Sequence, residues 1–210
     1  MRKVFCLRLT FLCLTTLWLA GCAAPKKSCC ASASLPEVPV AAGPVLETGE
    51  VWQDDGGKDF KLADLRGRPV IISMFYASCE GVCVITKNDL KAVEASLPAA
   101  ARARTAFVLV TLAPERDTAK MLRAYRAEHG LAAERWMLLR GSPKATAALA
   151  ARLGIGFGRD ESGLFRHASE LTVLDETGKI ILQQDGIHAD LAETVKTLAA
   201  LGKNEPSPTF

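Results

Sequence analysis

Two cysteines, Cys79 and Cys83, follow the apolar run 70–76 and are separated by three residues. A thiol pair at the turn from a strand to a helix carries out redox chemistry or binds a soft metal ion. Free N–H groups and the helix dipole favour thiolate at such a turn, which predicts a pKa below that of free cysteine for both residues. The usual redox motif has two intervening residues. The third one here, with Gly81 in the loop, makes room for a metal.

The histidine at position 167 precedes another strand-like run at 171–174. A lone histidine is usually structural or solvated, but beside a cysteine pair its imidazole could complete a Cys₂His copper site. His129 stands in the last turn of a predicted helix, where a cation complements the dipole. His188 lies at a helix start and is expected to be solvated.

Hydrophobic periodicity and turn signals divide the rest of the chain into alternating elements. A hairpin over 54–57 comes first, buried strands are predicted at 70–76 and 105–112, and a short strand or extended stretch is predicted at 136–139. A second hairpin over 175–178 joins runs at 171–174 and 180–182.

Caps and apolar faces predict four helices between and after these strands. They are a helix at 86–97, one capped by Asp117 with Met121, Leu122 and Tyr125 inward and Gly130 at its end, one from Ser142 to Gly154, and a last one marked by Leu191, Val195 and Leu198.

This order predicts an α/β fold with a mixed sheet, helices on both faces and an N-terminal β-hairpin, over residues 46–202. The thioredoxin-like fold has the same order. In that fold the loop before 171–174 lies against the cysteine loop, and thioredoxins place a cis-proline there. This chain has no proline between Pro143 and Pro206, so His167 could occupy that place.

The N-terminus is typical of a secreted, lipid-anchored protein. Three basic residues precede an apolar stretch at 9–19, and the run 19–22 (Leu-Ala-Gly-Cys) resembles a bacterial lipoprotein signal, in which Cys22 is acylated. We therefore expect a signal peptide at 1–21, a flexible tether at 22–45 and a disordered tail at 203–210. An uncleaved anchor is the alternative, and both place the domain in the periplasm or another extracytoplasmic space, tethered to a bacterial membrane.

The charge balance gives no sign of a nucleic-acid partner. The chain has 26 basic and 23 acidic residues, and the predicted signal holds three of the basic ones and no acidic ones. The mature chain is therefore formally neutral and lacks the basic surface that nucleic acids require.

Cys29 and Cys30, in the tether, could pair or relay a metal.

Five segments together resemble the Sco/SenC family, assembly factors for the copper centre of cytochrome c oxidase. The resemblance covers roughly residues 46–202, and its order and spacing are more specific than any one piece. The segments are 62–69 (LADLRGRP), 79–83 (CEGVC), 114–118 (PERDT), 167–169 (HAS) and 174–178 (LDETG).

The resemblance implies one copper ion, Cu(I) or Cu(II), per domain, with Cys79, Cys83 and His167 as its ligands. It also implies a membrane-tethered metallochaperone rather than an enzyme. Such a protein delivers copper to the copper-bearing subunit of cytochrome c oxidase or to another cuproprotein, or reduces the cysteines of that partner.

The sequence departs from the family pattern around these ligands. Glu80 and Val84 replace the prolines that usually follow the cysteines, Arg166 replaces an aspartate before the histidine, and Ala113 replaces an aspartate before Pro114. Because groups around a metal site orient its ligands and tune its affinity, these changes predict altered copper binding or another client.

Two other functions fit the same residues. The chain could be a thiol–disulfide oxidoreductase without a metal, in which Cys79 attacks a substrate disulfide and Cys83 resolves the mixed disulfide. It could also be a membrane-tethered adaptor that merely retains the cysteine pair.

Overall fold

The computed structural model describes residues 43–159, 165–167, 169–187 and 189–202, with the backbone alone at 159 and 165–167. These residues belong to one compact unit that spans 34–210. The predicted signal at 1–21, nearly all of the tether at 22–45 and the tail at 203–210 lie outside the described residues. The described residues also exclude four that were singled out above, namely Cys22, Cys29, Cys30 and His188.

The described chain contains nine strands and five α-helices. The strands are β1 (Val51–Asp54), β2 (Asp59–Lys61), β3 (Val70–Phe75), β4 (Ala106–Thr111), β5 (Trp136–Arg140), β6 (Phe157–Arg159), β7 (Phe165–His167), β8 (Glu170–Leu174) and β9 (Ile180–Asp185). The helices are α1 (Val82–Ser96), α2 (Ala99–Arg104), α3 (Ala119–His129), α4 (Pro143–Arg152) and α5 (Leu191–Leu201), and a 3₁₀ helix spans Leu62–Leu65.

Seven strands form one mixed sheet in the order β2-β1-β5-β4-β3-β8-β9. The central strands β3, β4 and β5 are parallel, and β1, β8 and β9 are antiparallel to their neighbours. Parallel neighbours need crossover connections, which α1 with α2 and then α3 supply. The predicted α/β class, the N-terminal hairpin and the late antiparallel hairpin are confirmed.

Alternation along the central strands divides the core between the two faces of the sheet. In β3, Val70, Ile72 and Met74 pack on the face covered by α4, whereas Ile71 and Phe75 pack on the face that α1, α3 and α5 cover. This two-residue period explains why helices lie on both faces.

The chain is already packed at the junction between the predicted tether and the predicted domain. Val45, assigned to the end of the tether, is 1% exposed and donates its backbone N–H to the Gly178 carbonyl. This contact attaches the incoming chain to the turn between β8 and β9. None of the helices in the described part of the chain combines the length and hydropathy that a membrane span requires.

Several local predictions were wrong. Helix α1 begins at Val82 rather than at residue 86, and α2 and the two-stranded β6–β7 ribbon were not predicted. Met121, expected to face inward, is 39% exposed. Met121 lies in the first turn of α3. The buried residues of that helix are Leu122 and Tyr125.

His129 ends α3 but does not supply the cation predicted there. Lys91 does so from α1, since its Nζ donates to the His129 carbonyl at 2.7 Å. The His129 ring bonds instead to Lys87, with Nδ1 and Nζ 3.1 Å apart. Burial and the nearby lysine charges lower the pKa of His129, which favours the neutral imidazole.

Candidate metal centre

The two cysteines lie at the carboxyl end of the central strand β3, where the chain turns into α1. Cys79 lies in the loop between β3 and α1, and Cys83 lies in the first turn of α1. Neither forms a disulfide; Cys79 is partly exposed, whereas Cys83 is 3% exposed. Only Cys83 is helical, so the pair is not related by one turn of a single helix. The loop brings the two sulfurs together.

The pKa values of the two thiols are shifted in opposite directions. Burial acts to raise the pKa of Cys79, but hydrogen bonds from the Cys83 thiol, the Cys83 and Gly81 backbone and the Tyr76 hydroxyl outweigh it and lower the pKa. Burial, reinforced by the hydrogen bond to Cys79, raises the pKa of Cys83 to about 12. The expectation that both pKa values fall below that of free cysteine was wrong for Cys83, because desolvation outweighs the favourable helix terminus.

This asymmetry predicts selective alkylation. At pH 7.5, iodoacetamide should modify Cys79 at least about ten times faster than Cys83, because the thiolate is the reactive form and only Cys79 is accessible. Peptide mapping by mass spectrometry measures both rates in one sample. Cys79→Ser is the control, in which Cys83 should stay slow because burial alone keeps it protonated. Equal rates at the two cysteines would contradict the arrangement.

Asp117 holds the start of the cysteine loop from the neighbouring strand end. It is fully buried, and its Oδ2 accepts the backbone N–H of Ala77 at 2.9 Å and the Thr111 hydroxyl at 2.5 Å. Its other oxygen has no partner among the described residues. The prediction that Asp117 caps α3 was wrong: Thr118 is the N-cap and accepts from the Met121 amide.

Arg116, beside Asp117, makes a second connection to the same loop. Its guanidinium donates to the Ser78 hydroxyl at 2.5 Å. Two consecutive residues therefore contact the two positions that directly precede Cys79. Sequence reasoning missed both contacts, since they join residues 38 and 40 positions apart.

His167 ends β7, where its backbone pairs with Phe157 of β6. Its side chain is outside the described part of the structure, and so is that of Arg166. Two positions later, Ser169 is buried and its hydroxyl lies 2.6 Å from the Thr86 hydroxyl of α1. The connection from His167 to β8 therefore contacts the helix that carries Cys83, three residues beyond that cysteine.

Gly186 allows this contact to form. Its N–H donates to the Ser169 carbonyl at 2.7 Å. A Cβ atom at this position would lie 2.6 Å from the Ser169 hydroxyl oxygen and 3.1 Å from that of Thr86. A larger residue would force the Ser169 hydroxyl to move and so disturb its contact with Thr86.

The described residues bring two soft donor atoms together here, the sulfurs of Cys79 and Cys83. Among the side chains that the structure describes, no group of three His, Cys, Asp or Glu residues is arranged to hold a metal ion. The side chain of His167 is not among them. A paired, partly exposed dithiol can exchange disulfides or bind a soft metal.

Comparisons with known proteins identify the family of this chain and agree with its fold. The SCO1/SenC family model matches residues 51–201. A Stutzerimonas stutzeri protein whose name describes it as copper-binding is 31% identical over 72 residues, which are 34% of this chain and 35% of that protein. The match therefore spans about a third of that relative's length.

Two solved structures share the fold. Arabidopsis thaliana ScoI with copper bound is 17% identical, with a TM-score of 0.63 over 78% of this chain and 98% of that one. BsSco, described as a member of the Sco family of cytochrome c oxidase assembly proteins, is 17% identical, with a TM-score of 0.66 over 82% and 99%. The thioredoxin-like architecture expected from the element order is therefore confirmed. Because the family model covers nearly all of the described chain, this protein belongs to the SCO1/SenC family.

Proposed function

We propose that this protein is a copper-binding chaperone that carries one copper ion on Cys79, Cys83 and His167. The observation that supports this most is the pair of reduced thiols in contact at the strand–helix turn. Sulfur ligands suit Cu(I), and an added imidazole also suits Cu(II). The donor set of this chain therefore fits the metal.

The third ligand is proposed from the position of the β6–β7 ribbon. The bond between Ser169 and Thr86 attaches the segment after His167 to α1, close to Cys83. This attachment is what supports an imidazole of this segment as the third ligand. A copper-bound relative and one whose name describes it as copper-binding support the choice of metal.

Copper is cargo in this proposal, so the site must release it. Cys79 is partly exposed, and a client thiolate can reach its side of the metal. As the client sulfur binds copper, the bond between copper and Cys79 breaks. The buried Cys83 is the last sulfur to dissociate from the metal. The exposed loop position and the buried helix position thus have different roles.

The client and the membrane tether are further parts of the proposal. The client is the copper-bearing subunit of cytochrome c oxidase, supported by the description of BsSco as belonging to a family of oxidase assembly proteins. The tether is a lipid on Cys22, supported by the run 19–22, and it places the domain in the periplasm of a bacterium. The replacements at Glu80 and Arg166 make another cuproprotein the alternative client.

A competitive Cu(I) titration against a chromogenic chelator tests copper binding. The full chain is used, with serine in place of the five cysteines outside the pair, namely Cys6, Cys13, Cys22, Cys29 and Cys30. The reduced protein should bind one copper per chain. The same protein, oxidised to the Cys79–Cys83 disulfide, should bind none. Copper binding that survives oxidation would contradict the proposal.

A second candidate is a thiol–disulfide oxidoreductase, favoured by the exposed and buried positions of the two thiols. The Cys79 thiolate would attack a substrate disulfide and release one substrate thiol. Cys83 would then displace the other substrate thiol, so that the substrate gains two electrons and the pair is oxidised to a disulfide. This activity should be lost in Cys79→Ser and unchanged in His167→Ala.

A further inference from the structure

Two buried hydroxyl groups join the segment after His167 to the helix that carries Cys83. The oxygens of Ser169 and Thr86 lie 2.6 Å apart, and both residues are buried. They are 83 positions apart in the chain, so the bond joins two distant parts of the sequence. Because buried groups cannot replace such a bond with bonds to water, the contact holds its partners in one arrangement.

A second contact of the Thr86 hydroxyl fixes the direction of this hydrogen bond. Thr86 donates to the backbone carbonyl of Val82, one turn earlier in α1, at 3.1 Å. A hydroxyl group has one hydrogen and can accept two hydrogen bonds. Since Thr86 gives its hydrogen to Val82, Ser169 is the donor to Thr86. In the reverse arrangement, the hydrogen of the buried Ser169 hydroxyl would have no acceptor among the described residues.

These two bonds limit how far the His167 backbone can lie from the first turn of α1. His167 is two residues before Ser169, so their Cα atoms are at most about 7 Å apart. Thr86 is three residues after Cys83, which in an α-helix corresponds to about 4.5 Å along the axis and to neighbouring positions on its surface. The chain of bonds ends at Val82, the residue directly before Cys83.

The backbone of Ser169 belongs to the sheet, whereas Thr86 belongs to the helix. The Ser169 carbonyl accepts the Gly186 N–H at the end of β9, and β8 begins at the next residue, Glu170. Gly186 has no side chain to fill the space that the two hydroxyls occupy. The hydroxyl bond therefore sets the spacing between the end of the sheet that follows His167 and the helix that carries Cys83.

We propose that Ser169 and Thr86 are positioning residues for the metal site, because their bond sets the place of His167 relative to the cysteine pair. The inference rests on the proposed function, since it takes His167 as a copper ligand, and it adds two residues that act through that ligand. Groups that orient metal ligands typically contribute about tenfold to 100-fold to metal affinity. Here the whole contribution should depend on the presence of the imidazole.

A double-mutant cycle of Cu(I) affinity, measured with the chelator titration described above, tests this role. Thr86→Val keeps the β-branched shape but removes the acceptor of the Ser169 hydroxyl, so affinity should fall by about tenfold. Ser169→Ala should have a similar effect. Thr86→Ser keeps the hydroxyl and should stay within about twofold of the wild type. When His167→Ala is already present, Thr86→Val should cost less than about a further twofold, because the ligand that it positions is gone.

Thr105→Val is the matched control for these variants. Thr105 is also a buried threonine whose hydroxyl donates to the carbonyl four residues earlier, that of Ala101, at 2.8 Å. Unlike Thr86, it has no bond to the segment after His167. Urea unfolding of the copper-free proteins should show a loss of stability in both Thr105→Val and Thr86→Val. Only Thr86→Val should lose copper affinity.

The outcomes distinguish a failure of this inference from a failure of the proposed function. If His167→Ala leaves Cu(I) affinity unchanged, the assignment of His167 as a ligand is wrong, and the positioning role falls with it. If His167→Ala lowers the affinity but Thr86→Val does not, the positioning role alone is overturned. It is also overturned if Thr86→Val costs the same affinity with and without His167, or if Thr105→Val loses as much affinity as Thr86→Val.

Discussion

Replacing Asp117 by alanine should lower the free energy of unfolding by about 2–4 kcal/mol. The change leaves the partly buried Ala77 amide and the buried Thr111 hydroxyl without their acceptor. Removal of a buried carboxylate with one unpartnered oxygen offsets part of this loss. Urea unfolding, followed by circular dichroism, measures the change.

The same variant should also weaken copper binding, because Ala77 lies two residues before Cys79. We expect about a tenfold loss of Cu(I) affinity, typical of residues that orient metal ligands. Asp117→Asn keeps one oxygen as an acceptor and should lose less stability than the alanine variant. Glu115→Ala, in the same loop but exposed, is the matched control and should change stability by less than about 0.5 kcal/mol. Equal changes in stability and in copper affinity in Asp117→Ala and Glu115→Ala would contradict the role of Asp117 in holding the cysteine loop.

Replacing His167 by alanine should weaken Cu(I) binding by about 100-fold or more, since it removes a ligand rather than a neighbour of one. The variant should still form the Cys79–Cys83 disulfide, because the sulfurs do not depend on the imidazole to meet. The chelator titration described above measures the affinity, and mass spectrometry measures the disulfide.

His129→Ala provides a matched control for this experiment. His129 is also a histidine near the end of an element, but its ring is bonded to Lys87 of α1 and packs edge-on against Tyr125. Its loss should leave copper affinity within about twofold of the wild type, since the imidazole is not part of the proposed site. Equal losses in both variants would contradict the role of His167.

Strand periodicity made the fold predictable. The runs that became β3 and β4 are apolar except at Ser73 and Thr111 and are buried at every position, as expected for parallel strands covered on both faces. Ser142, Pro143 and Gly154 marked both ends of α4 correctly, because caps act through local hydrogen bonds. Local signals of this kind are fully contained in the sequence.

Features that depend on distant contacts were missed. The early start of α1 was hidden by its first turns, which hold Val82, Val84, Ile85 and Thr86, β-branched residues with weak helix propensity. Asp117 has the residue type of a helix cap, but Ala77 and Thr111 use its carboxylate instead. Burial by the surrounding core raised the pKa of Cys83, and no local pattern reports such desolvation.

Part of the candidate site was predictable, because the spacing of the cysteines is a local signal, and part was not. The spacing and position of Cys79 and Cys83 identified the thiol pair, and the structure places both at the end of β3. The β6–β7 ribbon that carries His167 consists of two strands of three residues each, too short for a periodicity signal. The assignment of His167 as a ligand stays a prediction.

X-ray absorption spectroscopy at the copper edge tests the central claim most directly. The full chain with only Cys79 and Cys83 remaining is loaded with one equivalent of Cu(I) and compared with its His167→Ala variant. The proposal predicts two sulfur ligands and one imidazole nitrogen in the first protein, and loss of the nitrogen with both sulfurs kept in the second. A copper site with sulfur ligands alone in the first protein, or a nitrogen that persists without His167, would contradict it.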